Sequence, residues 1–104
     1  MRALSAMLVL LAVTLLLPGI ATADPVAARG SALANACAAC HGPNGRSQGA
    51  IPALDTLSTA DFAAALKAFR ADTRQGTVMN RIAKGLDDAD IEAIVSYFTT
   101  LRQR

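Results

Sequence analysis

Two cysteines and the chain's single histidine fall together as Cys37-Ala38-Ala39-Cys40-His41. C-x-x-C-H is the attachment signature of a c-type haem. Two thiols at this spacing reach the two vinyl groups on one porphyrin edge and close as thioethers, and the adjacent His is placed to bind the iron as proximal ligand. Small residues at Ala38 and Ala39 let the segment coil tightly. Three other chemistries use the same residue types. A redox disulfide in C-x-x-C normally sits near a βαβ pattern, and none is visible. A structural zinc site needs about four Cys or His ligands, and the chain holds two Cys and one His. A plain structural disulfide would close only a very short loop.

A sixth ligand for such an iron follows by elimination. With His41 the only His, two-His ligation within one chain is excluded. Met1 and Met7 lie in the apolar leader, which leaves Met79. It stands 38 residues beyond His41, after a helix and a loop that allow the chain to return. The competing readings are a gap-filling core Met and an open or Lys-bound sixth site.

The elements that must hold these residues are helical. Asp24-Pro25 pairs a capping side chain with Pro at the first helical position, so a helix is expected from Pro25 to about Ala39. His41-Gly42-Pro43-Asn44-Gly45 is a loop signal, and irregular chain should continue to about Leu57. Ser58-x-x-Asp61 resembles a capping box, and Phe62, Leu66 and Phe69 follow at helical spacing to about Ala71. Asp72 to Thr77 reads as a polar loop. Val78 to Lys84 allows one or two helical turns closed by Gly85. Asp87 caps a last helix whose stripe is Ile91, Ile94, Val95, Phe98 and Leu101. No strand pattern competes.

Residues 1–23 read as a cleaved export signal, with Asp24 to Arg104 as the folded domain. Arg2 gives the positive start. Leu4 to Leu17 is the apolar stretch, short for a membrane span. Pro18-Gly19 breaks it, and Ala21-Thr22-Ala23 forms the small-x-small cleavage pattern. The alternative is a retained anchor, the one way in which a membrane would enter. Export to the periplasm agrees with haem attachment outside the bacterial cytoplasm.

From Asp24 onward, 38 of 81 residues are apolar, but 18 of these are Ala. Alanine buries little area, and a domain of this size is marginal without a filler. A buried cofactor would supply the missing volume. Charge over the same stretch is nearly balanced, nine basic against eight acidic residues, and aromatic residues are few. That composition argues against nucleic acid as a partner. Lys67, Arg70, Arg74, Arg81 and Lys84 gather in sequence around Met79, either as solvated surface or as a docking patch.

With these residues in place, the chain resembles the class I cytochromes c, and more narrowly the cytochrome subunit of flavocytochrome c sulfide dehydrogenases. The stretches that carry the resemblance lie between about residues 30 and 101. They are Cys37 to Gly42, Ile51-Pro52-Ala53-Leu54, Leu66 to Arg70, Thr77-Val78-Met79-Asn80-Arg81-Ile82-Ala83-Lys84-Gly85, Asp90 to Ile94 and Tyr97-Phe98. The resemblance implies an all-α fold of about four helices wrapped around one covalent haem. In it Cys37 and Cys40 form the thioethers, His41 and Met79 are the axial pair, and the Pro52 carbonyl binds the His41 Nδ1–H. First and last helices should cross near Leu33 and Tyr97 or Phe98. The implied role is single-electron transfer, not catalysis. The donor would be a sulfide-oxidising flavoprotein subunit, and the acceptor another cytochrome or an oxidase. The better-known subunits of that group carry two haem domains in tandem, whereas this chain has one C-x-x-C-H. A free-standing carrier therefore stays open, as do an open-site haem protein that binds small ligands and a haem-free thiol-redox module.

Overall fold

The computed structural model describes residues 19–104. The apolar stretch of the expected export signal, Leu4 to Leu17, lies outside the described residues. Within them the chain forms four helices and no strand: α1 (Pro25–His41), α2 (Thr59–Arg70), α3 (Met79–Ala83) and α4 (Asp88–Gln103), with one 3-10 turn at Pro43–Gly45. None of these helices is long and apolar enough to cross a membrane.

Each long helix starts on a side-chain cap. Asp24 accepts from the Val26 N–H at 2.9 Å, ahead of Pro25. Ser58 accepts from the Asp61 N–H at 3.0 Å, while its own hydroxyl donates to the Asp61 carboxylate at 2.6 Å. The reciprocal box expected at Ser58 therefore does not form: Asp61 takes the hydroxyl instead of the backbone N–H. A true box forms at Asp87, whose carboxylate accepts from the Asp90 N–H at 2.7 Å while Asp90 accepts from the Asp87 N–H at 3.1 Å. Each such cap satisfies donors that the first helical turn leaves without a partner.

The scaffold is the crossing of α1 over α4. Gly30 and Ala34 are the buried residues of α1. At Gly30 the helices come so close that a Cβ would lie 2.3 Å from the Ala93 carbonyl oxygen. Arg29 beside it donates to the buried Asp90 at 2.5 Å. The core proper gathers Leu54, Phe62, Leu66, Ile91, Ile94, Val95 and Phe98 around Ala34. Phe98 meets Phe62 at 5.6 Å between ring centroids and Tyr97 edge-on at 5.4 Å. Leu33 and Tyr97 pack at the margin of this cluster, as the expected helix crossing requires. Phe69 is only half-buried, with the Arg74 guanidinium 4.8 Å from its ring centroid.

The loop after α1 turns inward at Gly45, which is buried with φ +73°. A Cβ there would meet the Phe98 ring at 2.9 Å and Leu54 at 3.0 Å, so both conformation and space require glycine. The Leu54 N–H donates to the Gly45 carbonyl at 2.7 Å, pinning the returning chain against the 3-10 turn. Farther on, Arg102 donates to the Leu57 carbonyl and ties the end of this loop to α4.

Candidate functional site

The last turn of α1 carries Cys37, Cys40 and His41. The helix runs two residues past the expected end, so His41 is its final helical residue. Gly42, at φ +84°, ends it and returns its N–H to the Ala38 carbonyl at 3.0 Å. On a helix, positions three and four apart share a face, which sets Cys37 with Cys40 and Cys37 with His41. Both cysteines are free thiols. Cys37 is half-buried and its Sγ makes a weak 3.6 Å contact to the Leu33 carbonyl; Cys40 is exposed. Burial pushes the Cys37 thiol above its ordinary pKa.

His41 is oriented from the loop. The Pro52 carbonyl oxygen lies 2.5 Å from Nδ1. A carbonyl can only accept, so Nδ1 carries the proton in this contact, and any ligation by this ring is through Nε2. That is the arrangement in which a histidine is held ready to bind a metal. The contact joins residues 11 apart in sequence, so it depends on the whole loop fold through Gly45 and Leu54.

Met79 is the first residue of α3, whose N-cap Val78 provides no side-chain hydrogen bond. Met79 and Cys37 are both half-buried and pack at the edge of the same core cluster. Large apolar side chains beside these segments are left in solvent: Ile51 is 43% exposed, Val78 54% and Ile82 48%. The five cations that gather around Met79 in sequence are partly committed elsewhere. Arg70 binds Asp88 at 2.6 Å and the Leu86 carbonyl at 3.1 Å, Lys84 binds Asp72 at 2.5 Å, and Arg74 lies on the Phe69 ring. Arg70 and Lys84 hold Asp88 and Asp72 below the usual carboxylate range through these hydrogen bonds. Two of the five, Arg70 and Lys84, are therefore neutralised at short range.

The donor set discriminates among the chemistries that C-x-x-C-H allows. No cluster of three His, Cys, Asp or Glu able to hold a bare metal ion occurs among the described residues. Instead there are two free thiols, an imidazole with Nε2 available, a soft thioether at Met79, and apolar side chains without cover around a small core. These features fit a planar apolar group held covalently, and they fit a c-type haem.

Several residues that shape the site give no motif in the sequence. Asn80, next to Met79, binds four partners across the preceding loop. Arg29 and Asp90 pair across 61 residues. A polar residue flanking the lone Met was the one available signal for Asn80; for the pair there was none.

A family model described as cytochrome c matches residues 27–102. Over 95 residues the chain is 36% identical to the cytochrome subunit of sulfide dehydrogenase from Chlorobaculum tepidum, covering 83% of this chain and 86% of that one. It is 34% identical over 73 residues to cytochrome c-553 of Helicobacter pylori, covering 68% of this chain and 76% of the relative. It is also 36% identical over 72 residues to the thiosulfate dehydrogenase electron acceptor of Stutzerimonas stutzeri, of which the match spans 33%.

Proposed function

This chain belongs to the cytochrome c family, a haem-bearing electron-transfer family and not one of enzymes, and from that premise we propose that His41 and Met79 ligate its one haem iron and that a sulfide-oxidising flavoprotein is its electron donor. The covalent haem c supplies an iron that takes up and releases one electron at a time. Everything else is done by the chain's own side chains.

Cys37 and Cys40 anchor the group from the end of α1, so that a loss of non-covalent contacts does not release it. His41 presents Nε2, and the Pro52 carbonyl fixes both tautomer and ring direction through Nδ1. That hydrogen bond is the observation that most supports the ligand assignment. The Met79 thioether would be the second protein ligand to the iron, where it would raise the potential relative to nitrogen ligation and keep small molecules off the iron. Ile51, Val78 and Ile82 gain cover from an apolar ring system that the alanine-rich core does not itself provide.

For the donor, support comes from the Thr77-to-Gly85 block and from likeness along most of the chain to a relative named for sulfide dehydrogenase. The downstream acceptor is another cytochrome or an oxidase. We place the protein in the periplasm, with residues 1–23 removed as an export signal and residues 24–104 forming the haem domain. A free-standing carrier is the second reading, favoured by the likeness to cytochrome c-553.

Size-exclusion chromatography of the native protein with its flavoprotein neighbour, at low and high salt, separates these readings. A subunit interface is broad and apolar and persists in salt, whereas an encounter between charges weakens as salt screens them. Co-elution at both salt concentrations supports the subunit. Elution as a lone small monomer throughout supports the free carrier.

A further inference from the structure

The short helix that carries Met79 has little to hold it in place by itself. α3 is five residues long and its N-cap makes no side-chain bond. A helix of that length is unstable alone. The chain ahead of it, from Ala71 to Val78, leaves α2 through a Phe69 carbonyl that receives the Asp72 N–H and an Ala68 carbonyl that receives the Thr73 and Arg74 N–H groups. Asp72 takes a left-handed φ of +58° in doing so.

Two side chains bridge from this turn to α3: Lys84 at its C-terminal end, through Asp72, and Asn80 in its first turn, beside Met79. The two N–H groups of the Asn80 amide are shared among three acceptors: the Phe69 carbonyl at 3.1 Å, the Asp72 carboxylate at 3.1 Å and the Arg74 carbonyl at 2.8 Å. Its oxygen accepts the Gly76 N–H at 2.8 Å. The orientation of the amide is fixed by chemistry: three acceptors face one end and a donor faces the other. Gly76 fits closely inside this clamp. A Cβ there would meet the Phe69 ring at 2.9 Å and the Met79 Cβ at 3.3 Å.

We propose that Asn80 is a positioning residue for the Met79 thioether. By closing the 72–79 loop onto the end of α2, it fixes where α3 begins and so where the Met79 side chain starts. This inference rests on the assignment of Met79 as an axial ligand. Asn80 touches neither haem nor iron in this role; it acts through the backbone of its neighbour. Without the amide, the turn keeps its backbone bonds to α2 but the start of α3 loses its tie to that turn, and Met79 detaches more often. An ordinary net hydrogen bond corresponds to about a fivefold shift in an equilibrium, so losing two or three raises the detached population by about 25- to 125-fold.

The probe is imidazole, which competes with Met79 for ferric iron in the holoprotein. Asn80→Ala should tighten imidazole binding by that same factor and weaken the near-infrared sulfur-to-iron absorption band, with far-UV helicity retained. Asn80→Asp is nearly isosteric but turns an acceptor toward two carbonyls and the Asp72 carboxylate, so its effect should be larger. Unchanged imidazole affinity with an intact band in both variants overturns the role. Met79→Ala separates the two levels of inference. If it leaves the parent's band and imidazole affinity unchanged, the ligand assignment fails. If it abolishes the band while the Asn80 variants behave as parent, only the positioning role fails. A measurement on the parent protein covers the case in which the variants do not fold. Coupling is reciprocal, so displacing Met79 with saturating imidazole should speed hydrogen exchange at the Gly76 amide. Unaltered Gly76 protection overturns the proposal.

Discussion

The crossing of α1 over α4 and the segments that carry Pro52 and Met79 are built on opposite plans. In the crossing, backbone meets backbone at Gly30 and Ala93, Ile91 and Ile94 are 1% exposed, and the Arg29–Asp90 pair is locked into a capping box. In the segments that carry Pro52 and Met79, order comes from local polar contacts: His41 to Pro52, Gly45 to Leu54, Asn80 to four partners. Apolar side chains there stand in solvent at Ile51, Val78 and Ile82. One region packs closely on itself, and the other leaves large apolar side chains exposed. The helix crossing carries Cys37, Cys40 and His41, so in the proposed function the well-packed half of the molecule holds the covalent attachment. In the same proposal the other half supplies the tuning, through the Pro52 carbonyl and the Met79 thioether.

The strongest way to break this contrast is to remove the anchor. Cys37→Ala with Cys40→Ala should abolish the covalent haem band on a denaturing gel and leave little folded protein, as read by far-UV circular dichroism. Native-like folding without haem would show the crossing to be sufficient, and the small core would need another explanation. Next in size is Met79→Ala. It should remove the sulfur-to-iron band, lower the midpoint potential in a redox titration and let carbon monoxide bind the reduced protein, while the helix content stays. A band that survives in the variant would remove Met79 from the iron.

The same division decides what could be read from sequence. α2 and α4 were legible because their caps and apolar spacing are local, and Ser58 and Asp87 mark both starts. α1 was legible from Asp24-Pro25 alone. Its packing face is Gly30 and Ala34, which give no hydrophobic stripe, because close backbone approach replaces side-chain burial there. Its end was placed two residues early: the break comes at Gly42, where φ turns positive, not ahead of His41. α3 begins at Met79 with Val78 as its cap, and the adjoining Lys84, not Gly85, closes it. Met79 and the C-x-x-C-H residues stood out by rarity and spacing. Asn80, Arg29 with Asp90, and Arg102 with the Leu57 carbonyl did not. Their partners lie across loops or 45 and 61 residues apart, and polar residues on helix surfaces are ordinary.

A smaller change tests the crossing directly. Gly30→Ala would gain about 1 kcal/mol from helix propensity. Against this, its Cβ would sit 2.3 Å from a carbonyl oxygen belonging to backbone, which has little freedom to yield. Overpacking of a tight contact costs about 1–3 kcal/mol, and a clash with backbone belongs at the upper end. The variant should therefore be net destabilised in a urea titration of the holoprotein, with the sulfur-to-iron band intact up to global unfolding. Loss of the band well before unfolding would mean that the two regions are coupled more tightly than their construction suggests.

The smallest effect expected is that of acid on two of the ion pairs, Arg29–Asp90 at the crossing and Lys84–Asp72 beside α3. Arg29 holds the Asp90 carboxyl below its ordinary value, chiefly by their hydrogen bond, with the Asp87 N–H assisting. Lys84 does the same for Asp72, helped by Asn80. A carboxyl depressed in the folded state binds fewer protons there than in the unfolded chain. Stability therefore rises with pH through that window and is flat above it. The ordinary Asp value is about 3.9, so both contributions should be fully present near neutrality and decline as pH falls below about 4 through the depressed values. Arg29 has its own pKa raised by Asp90, but it stays charged throughout this range and adds no slope. Asp90 is buried at the crossing, whereas the Asp72 side chain is 56% exposed. Urea titrations between neutrality and pH 3 should accordingly show that Asp90→Asn lowers stability at neutral pH and flattens the acid decline. Asp72→Asn should change global stability less. Equal effects from the two substitutions would mean that the loop around Met79 unfolds together with the helix crossing, and that the contrast between the regions is one of chemistry alone.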